Sequence, residues 1–296
     1  MTFWVQRPFF GKRHQNDARH ALRHRGPIAA PGPETIRYGG NTSTVEVCGN
    51  DGTVLVLDAG TGIRRLGMQI PATTTRVDIL LTHLHMDHIQ GLGFFAPLFD
   101  PRTNVHIWGP ASSMLTLEAR LARYLSPPLF PVHLRDLPNV VCHEVPCPAF
   151  EIGAFRIRTS LICHPGPTVG YQIESEDGVV AYLCDHEPAL GLLNGRWPDP
   201  DWISGYDVAV DADLLIHDAQ YTDEEYERCI GWGHSTYRHA FEFAAQVGAK
   251  RIVPFHHDPS HDDKTLDRLL YRAANDSKCP CAASPGREGA RFEIGR

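Results

Sequence analysis

The stretch Leu81-Thr82-His83-Leu84-His85-Met86-Asp87-His88 sets three imidazoles and a carboxylate within six residues. Neither core packing nor solubility calls for such a density of metal-ligating groups. Just before it, Val77-Asp78-Ile79-Leu80-Leu81-Thr82 is an apolar run of buried-strand length. His83 and His85 therefore leave a strand end two residues apart and on the same side, where they can grip one ion together. Beyond Met86 the text reads as helical through Gly91 to Leu98, so Asp87 and His88 stand at a turn into a helix and face another point in space. That suits a second ion. Imidazole and carboxylate are ligands for zinc, and also for manganese or iron, and an aspartate beside the metals can take a proton from bound water. The plainer explanation is a surface cluster in a chain of 17 histidines. A stray pair arises by chance at that content, whereas the whole strand-then-cluster pattern does not.

The chain of 296 residues is 42% hydrophobic, enough for one large core, and no linker divides it. A single domain over residues 31–296 is expected, preceded by a basic, mobile segment over residues 1–30. No apolar run approaches membrane-helix length and no export signal is legible, which points to the cytoplasm. Eight scattered cysteines read as reduced core thiols, with Cys279-Pro280-Cys281 in a loop and metal binding there as the alternative. The net charge is −7, and residues 1–28 hold six Lys/Arg against one acid, so the remainder carries 22 basic and 34 acidic residues. An acidic body repels a long nucleic acid and favours a small anionic substrate drawn to the metals. Composition leaves a homodimer open.

Outward from the opening stretch, Thr44 to Cys48 and Thr53 to Leu57 read as strands joined through Asn50-Asp51-Gly52, a hairpin turn signal. Asp58-Ala59-Gly60-Thr61-Gly62 follows at the strand end. Asn104 to Gly109, Asn139 to Glu144 and Ala154 to Ile162 read as further strands, and Ser112 to Leu125 as a helix with Leu117, Leu121 and Tyr124 on one face. Another helix is expected from Tyr237 to Val247, with Ser235 as a candidate N-cap.

The H-x-H-x-D-H pattern of residues 83–88 resembles the signature of the metallo-β-lactamase superfamily of hydrolases. That resemblance implies an α/β (α+β) fold, a four-layer αββα sandwich with a dinuclear metal site at one edge of the sheets. It assigns His164, at a strand end before a Gly/Pro turn, as the third histidine on the metal of His83 and His85. Asp185 is matched to the aspartate bridging both metals. His256 is matched to the last ligand, on the metal of Asp87 and His88, with adjacent His257 left as the alternative. Asp58 is matched to the aspartate that supports the metal loop through hydrogen bonds. Leu214-Leu215-Ile216-His217-Asp218-Ala219 and Gly233-His234-Ser235-Thr236 are similar to elements of ribonuclease Z-like phosphodiesterases. There the histidine, here His234, contacts phosphate or protonates the leaving oxygen, and the acid, here Asp218, orients it. The N-terminal strand of a bacterial phosphodiesterase-like branch is matched in part by Phe10-Gly11-Lys12-Arg13 or by His24-Arg25-Gly26.

The function so implied is metal-dependent hydrolysis of a phosphodiester such as a cyclic nucleotide, a cyclic phosphate or a short oligonucleotide. The implied cofactors are two divalent ions, Zn2+ ahead of Mn2+ or Fe because His85 stands where di-iron relatives have glutamate. A hydroxide bridging the metals would attack phosphorus, with Asp87 as proton acceptor and His234 and Asp218 assisting the leaving group. The alternatives are hydrolysis of a thioester, lactone or β-lactam on the same fold, and tRNA 3′ processing.

Overall fold

The computed structural model describes residues 18–23, 25–192, 195–277 and 279–295, with side chains from Arg25 onward. The strands in chain order are β1 (Ala18–Arg23), β2 (Thr44–Cys48), β3 (Val54–Leu57), β4 (Arg76–Leu80), β5 (Asn104–Gly109), β6 (Val140–Glu144) and β7 (Ala149–Ile152). They continue as β8 (Phe155–Leu161), β9 (Val169–Ser175), β10 (Gly178–Leu183), β11 (Leu214–Asp218), β12 (Arg251–Phe255), β13 (Ala282–Ala283) and β14 (Arg291–Ile294). They form two sheets, ordered β14-β1-β2-β3-β4-β5-β6 and β13-β12-β11-β10-β9-β8-β7. Each sheet runs antiparallel through its first hairpin and then turns parallel, from β3 to β6 in one and from β10 to β13 in the other. Among the described residues no helix is long and apolar enough to cross a membrane.

Strand side chains alternate between two apolar destinations. Val45, Val47, Leu55 and Leu57 point between the sheets, against Phe155, Ile157, Tyr171, Ile173 and Tyr182. Their neighbours Val54 and Val56, with Val77, Ile79, Val105 and Ile107, pack on the other face under Ile63, Leu66, Phe95, Leu117 and Leu121. In the second sheet Ala181, Leu183, Leu215 and Ile252 meet Phe241, Phe243, Ala244 and Leu266 of the helices Tyr237–Gln246 and Asp263–Asp276. Strands covered on both faces read as continuous apolar runs for this reason. Burying each of the larger side chains among these contributes about 1.5–3 kcal/mol, and the three clusters hold the four layers together.

Three sequence expectations are corrected. The helix expected through Gly91 to Leu98 is one α-turn, Met86–Ile89, followed by two 3-10 turns at Leu92–Phe94 and Ala96–Phe99. Gly91 and Gly93 weaken a helix there, Phe130 packs on Gly93, and Pro97 lacks a donor N–H. The helix expected from Ser112 to Leu125 is only Leu117–Leu121, capped by the Thr116 hydroxyl. Cys279 and Cys281 are joined in a disulfide rather than free.

The fourth correction concerns the N-terminal segment. Ala18–Arg23, expected outside the domain, lies between β2 and β14 with antiparallel register to both, Leu22 opposite Val45 and His20 opposite Phe292. Phe10-Gly11-Lys12-Arg13 lies outside the described residues. Arg25 is fully buried: its Nε donates to the Gly39 carbonyl, its Nη1 to the carbonyls of Asp258 and His261, and Nη2 lies 3.9 Å from Asp263. Its composition made this segment look dispensable, because a buried cation and an edge pairing are invisible until the loops they satisfy have been placed. Arg25→Ala is expected to lower stability by about 3 kcal/mol, since it strands buried carbonyls and Asp263. Deletion of residues 1–28 should abolish cooperative unfolding in urea. A truncated chain that melts like the full one would show that β1 is dispensable.

Candidate metal centre

The carboxyl ends of the parallel strands of both sheets meet at one edge, where ligand crevices form in parallel α/β sheets. Asp58 follows β3, His83 follows β4, Asp185 follows β10, Asp218 ends β11 and His256 follows β12, while His164 comes from the β8–β9 loop. Donor atoms of His83, His85, His164 and Asp185 lie within 4.8 Å of one another, as do those of His88, Cys184, Asp185 and His256. The two carboxylate oxygens of Asp185 divide between these groups. Oδ2 is 3.4 Å from His83 Nε2 and 3.6 Å from His164 Nε2, while Oδ1 is 3.1 Å from His88 Nε2 and 3.3 Å from His256 Nε2. Asp87 Oδ2 joins the second group at 3.1 Å from both His88 Nε2 and His256 Nε2. Every predicted ligand is therefore in one of the two groups.

Whether these residues fit an ion can be judged from their own geometry. A tetrahedral ion with bonds of ~2.0–2.1 Å holds its donors roughly 3.3 Å apart, close to the spacings above. His83 Nε2, His88 Nε2 and Asp185 Oδ1 are buried without a hydrogen-bond partner, a costly state that a cation among them would relieve. The opposite ring nitrogens are held by the protein: His88 Nδ1 by Asp58 Oδ2 at 2.8 Å, His83 Nδ1 by Thr82 Oγ1 at 3.0 Å and His164 Nδ1 by the Gly233 carbonyl at 2.9 Å. Such partners fix the tautomer and turn the free nitrogen toward the metal. The residues fit a divalent cation.

Electrostatics agrees with that assignment. Burial pushes the imidazoles of His83, His85 and His164 below their ordinary range, leaving neutral rings with a lone pair to offer. Burial also opposes charge on His88 and His256, but Asp185 and the neighbouring carboxylates outweigh it. They pull His88 well above the ordinary range and His256 up to about 10. A divalent ion held by His88 and His256 would take the place of those protons, so metal loading is expected to release protons into weakly buffered solution and to weaken as pH falls.

His256, rather than His257, faces the carboxylates; His257 Nδ1 is 2.9 Å from the Tyr237 hydroxyl and its ring stacks on Tyr237. His256 holds φ +57°, as does Asp58, and a left-handed backbone at a non-glycine residue costs roughly 1–2 kcal/mol. Gly26 backs His256: a Cβ there would lie 2.4 Å from its ring, and the Gly26 N–H donates to the His257 carbonyl. Arg25-Gly26 thus sits beside the last candidate ligand, while His24 lies outside the described residues. The resemblance singles out Gly26 only as part of a candidate first strand, without a role at the site. Sequence reasoning missed Tyr182, whose hydroxyl donates to Asp58 Oδ2 at 2.8 Å across 124 residues and which nothing local marks. It also missed Cys184, whose buried thiol is pushed up by its surroundings and lies 3.5 Å from Ser43 Oγ.

His234 Nδ1 is 2.7 Å from Asp218 Oδ2, while Asp218 Oδ1 accepts from the Ser235 and Gln220 N–H groups. The His234 ring stacks on His256 at 5.1 Å and meets His164 edge-on at 5.2 Å. It therefore lies against ligands of both groups. The helix that follows is capped by Thr236, not Ser235, whose hydroxyl instead donates to the His186 carbonyl.

A family model described as "Beta-lactamase superfamily domain" matches residues 53–257 of this chain. The chain belongs to the metallo-β-lactamase superfamily, in its ribonuclease Z-like branch. Ribonuclease Z of Haloferax volcanii is 30% identical over 243 residues, covering 70% of this chain and 76% of its own. Ribonuclease Z of Myxococcus xanthus is 26% identical over 267 residues, covering 77% and 84%. The crystal structure of a new diphosphatase from the PhnP family superposes with a TM-score of 0.66 at 19% identity, covering 94% of this chain and 99% of that one. This superfamily member is a metal-dependent hydrolase of phosphodiester bonds.

The Asp58 carboxylate holds the Thr82 N–H at 2.8 Å together with His88 and Tyr182. Asp58→Ala is therefore expected to weaken metal binding roughly 10–100-fold in chelator competition. Unchanged affinity would show that the loop keeps its shape without the carboxylate.

Proposed function

We propose that this superfamily member hydrolyses a small anionic phosphodiester, such as a cyclic nucleotide, a cyclic phosphate or a short oligonucleotide, with two divalent ions. Zinc is the preferred metal because imidazoles dominate the donor set. His83, His85, His164 and Asp185 Oδ2 would hold one ion, and Asp87, His88, His256 and Asp185 Oδ1 the other. When bound, the ions supply Lewis acidity toward the phosphoryl oxygens and lower the pKa of water to about 7. The carboxylate of Asp87 is placed to accept the proton of the attacking water. His234 gives a proton from Nε2 to the leaving alkoxide, because Nδ1 is occupied by Asp218. The buried Asp218 keeps that tautomer and stabilises the ring while it is charged. The small, charged substrate follows from the acidic body of the chain, which repels an extended polyanion.

The observation carrying this reading is the His234–Asp218 pair set against His164 and His256. A phosphodiester's alkoxide gains from a proton donor, and acyl substrates need that help less. A second reading, RNA 3′ processing, is supported by the ribonuclease Z relatives.

Bis(p-nitrophenyl) phosphate and alkyl phosphodiesters are expected to outrun a thioester, a lactone and a β-lactam, with metal content saturating at two ions per chain. His234→Ala should lower kcat on an alkyl diester roughly 10²–10⁴-fold with metal content unchanged, and should cost less on the activated nitrophenyl diester. Faster acyl hydrolysis than any diester hydrolysis would overturn the proposal. A precursor tRNA cleaved with higher kcat/KM than every small diester would favour the second reading.

A further inference from the structure

Glu187, two residues beyond Asp185, is fully buried, yet no metal group includes it. A buried carboxylate persists only when its oxygens are satisfied. The donors here all come from one short segment, the end of the helix Asp223–Tyr226 and the loop that follows it. Glu187 Oε1 accepts from the Tyr226 hydroxyl at 2.7 Å and from the Gly231 N–H at 2.9 Å, and Oε2 accepts from the Gly233 N–H at 2.6 Å. Gly231 and Gly233 hold φ +86° and +89°, which lets the backbone turn its N–H groups onto one anion. The same loop ends in functional contacts. The Gly233 carbonyl is the partner of His164 Nδ1, a Cβ at Gly233 would lie 2.2 Å from that nitrogen, and the next residue is His234. From the other side the Glu187 N–H donates to the Cys163 carbonyl at 2.9 Å, adjoining His164.

We propose that Glu187 is a positioning residue whose carboxylate sets the Gly231–His234 loop, fixing through Gly233 the orientation of His164 and holding His234 against the metal groups. The claim about His234 rests on the proton-donor reading above, whereas the claim about His164 does not. Glu187 belongs to none of the candidate metal groups and acts through His164 and His234. Its position two residues beyond Asp185 links the segments that bear His164, Asp185 and His234, which are far apart in sequence.

The test compares two variants that each alter one hydrogen bond of the same carboxylate. Glu187→Gln can keep the Tyr226 and Gly231 bonds on Oε1 and sets an N–H donor against the Gly233 N–H. Tyr226→Phe removes only the tyrosine bond. Glu187→Gln is expected to lower kcat on an alkyl diester at least tenfold with KM within threefold, and to steepen the dependence on leaving-group pKa. In a His234→Ala background the same substitution should change kcat less than threefold. In cobalt-substituted protein, Glu187→Gln should shift the visible absorption bands, and Tyr226→Phe should not. If Glu187→Gln does not fold, Glu187→Asp, which keeps the charge but shortens the reach, takes its place with the same expectations. The proposal is overturned if a folded variant keeps the wild-type leaving-group dependence, if its effect is fully additive with His234→Ala, or if both variants shift the cobalt bands alike. A cobalt shift confined to the Glu187 variants, with no diester turned over by the wild type, would sustain the role toward His164 while removing the phosphodiesterase reading.

Discussion

The Asp185 carboxylate, one oxygen toward His83 and His164 and the other toward His88 and His256, is the constraint around which the molecule is arranged. Carboxylates and imidazoles crowded into a water-poor edge must have their charge balanced, because unbalanced charge in low dielectric is far costlier than at a surface. A pair of cations would balance it, and Asp185 lies where one negative group could serve two positive ones. Surrounding groups then have to be held at about 3 Å spacing from loops that would otherwise wander. Asp58, Thr82, Tyr182 and Gly233 do that through hydrogen bonds to the far side of each ligand or to the loop that bears it.

The two sheets supply this arrangement by repeating one plan. In each, a hairpin feeds a strand whose end carries a buried aspartate, Asp58 after β3 and Asp185 after β10, and parallel strands continue outward from there. Parallel strands bring their carboxyl ends to the same edge, so packing the sheets face to face joins two half-sites into one crevice. One half contributes the dense cluster of residues 83–88, and the other contributes single residues from separate strands. Local strain marks the junction: Asp58 and His256 both hold left-handed backbone, which the packed strands and Gly26 sustain.

Where sequence reading succeeded, the signal was local. Residues 83–88 declared a metal site because all of their donors come from one short segment, and the apolar runs declared strands covered on both faces. Where it failed, a non-local partner decided the outcome. The run from Gly91 to Leu98 has helical composition, but Phe130 against Gly93 and the ring of Pro97 break it into short turns. Residues 18–25 look like a basic tail until β2 and β14 are seen on either side of them and the loop carbonyls around Arg25 are counted.

The amino-acid sequence by itself offered the strand-rich α/β architecture and the metal-liganding cluster of residues 83–88, while family resemblance pointed to the distant candidates His164, Asp185 and His256 and to the pairing of Asp218 with His234. Periodicity and residue chemistry are properties of short segments, and they survive without a structure. Tertiary structure alone decided that Asp185 splits its oxygens between two groups, that His256 and not His257 turns inward, that Gly26 packs on His256, and that the buried Glu187 and Arg25 find their partners in loops far away in sequence. These are matters of distance and direction between segments up to 236 residues apart. Such relations exist only once the two sheets have packed and every buried donor has found its acceptor.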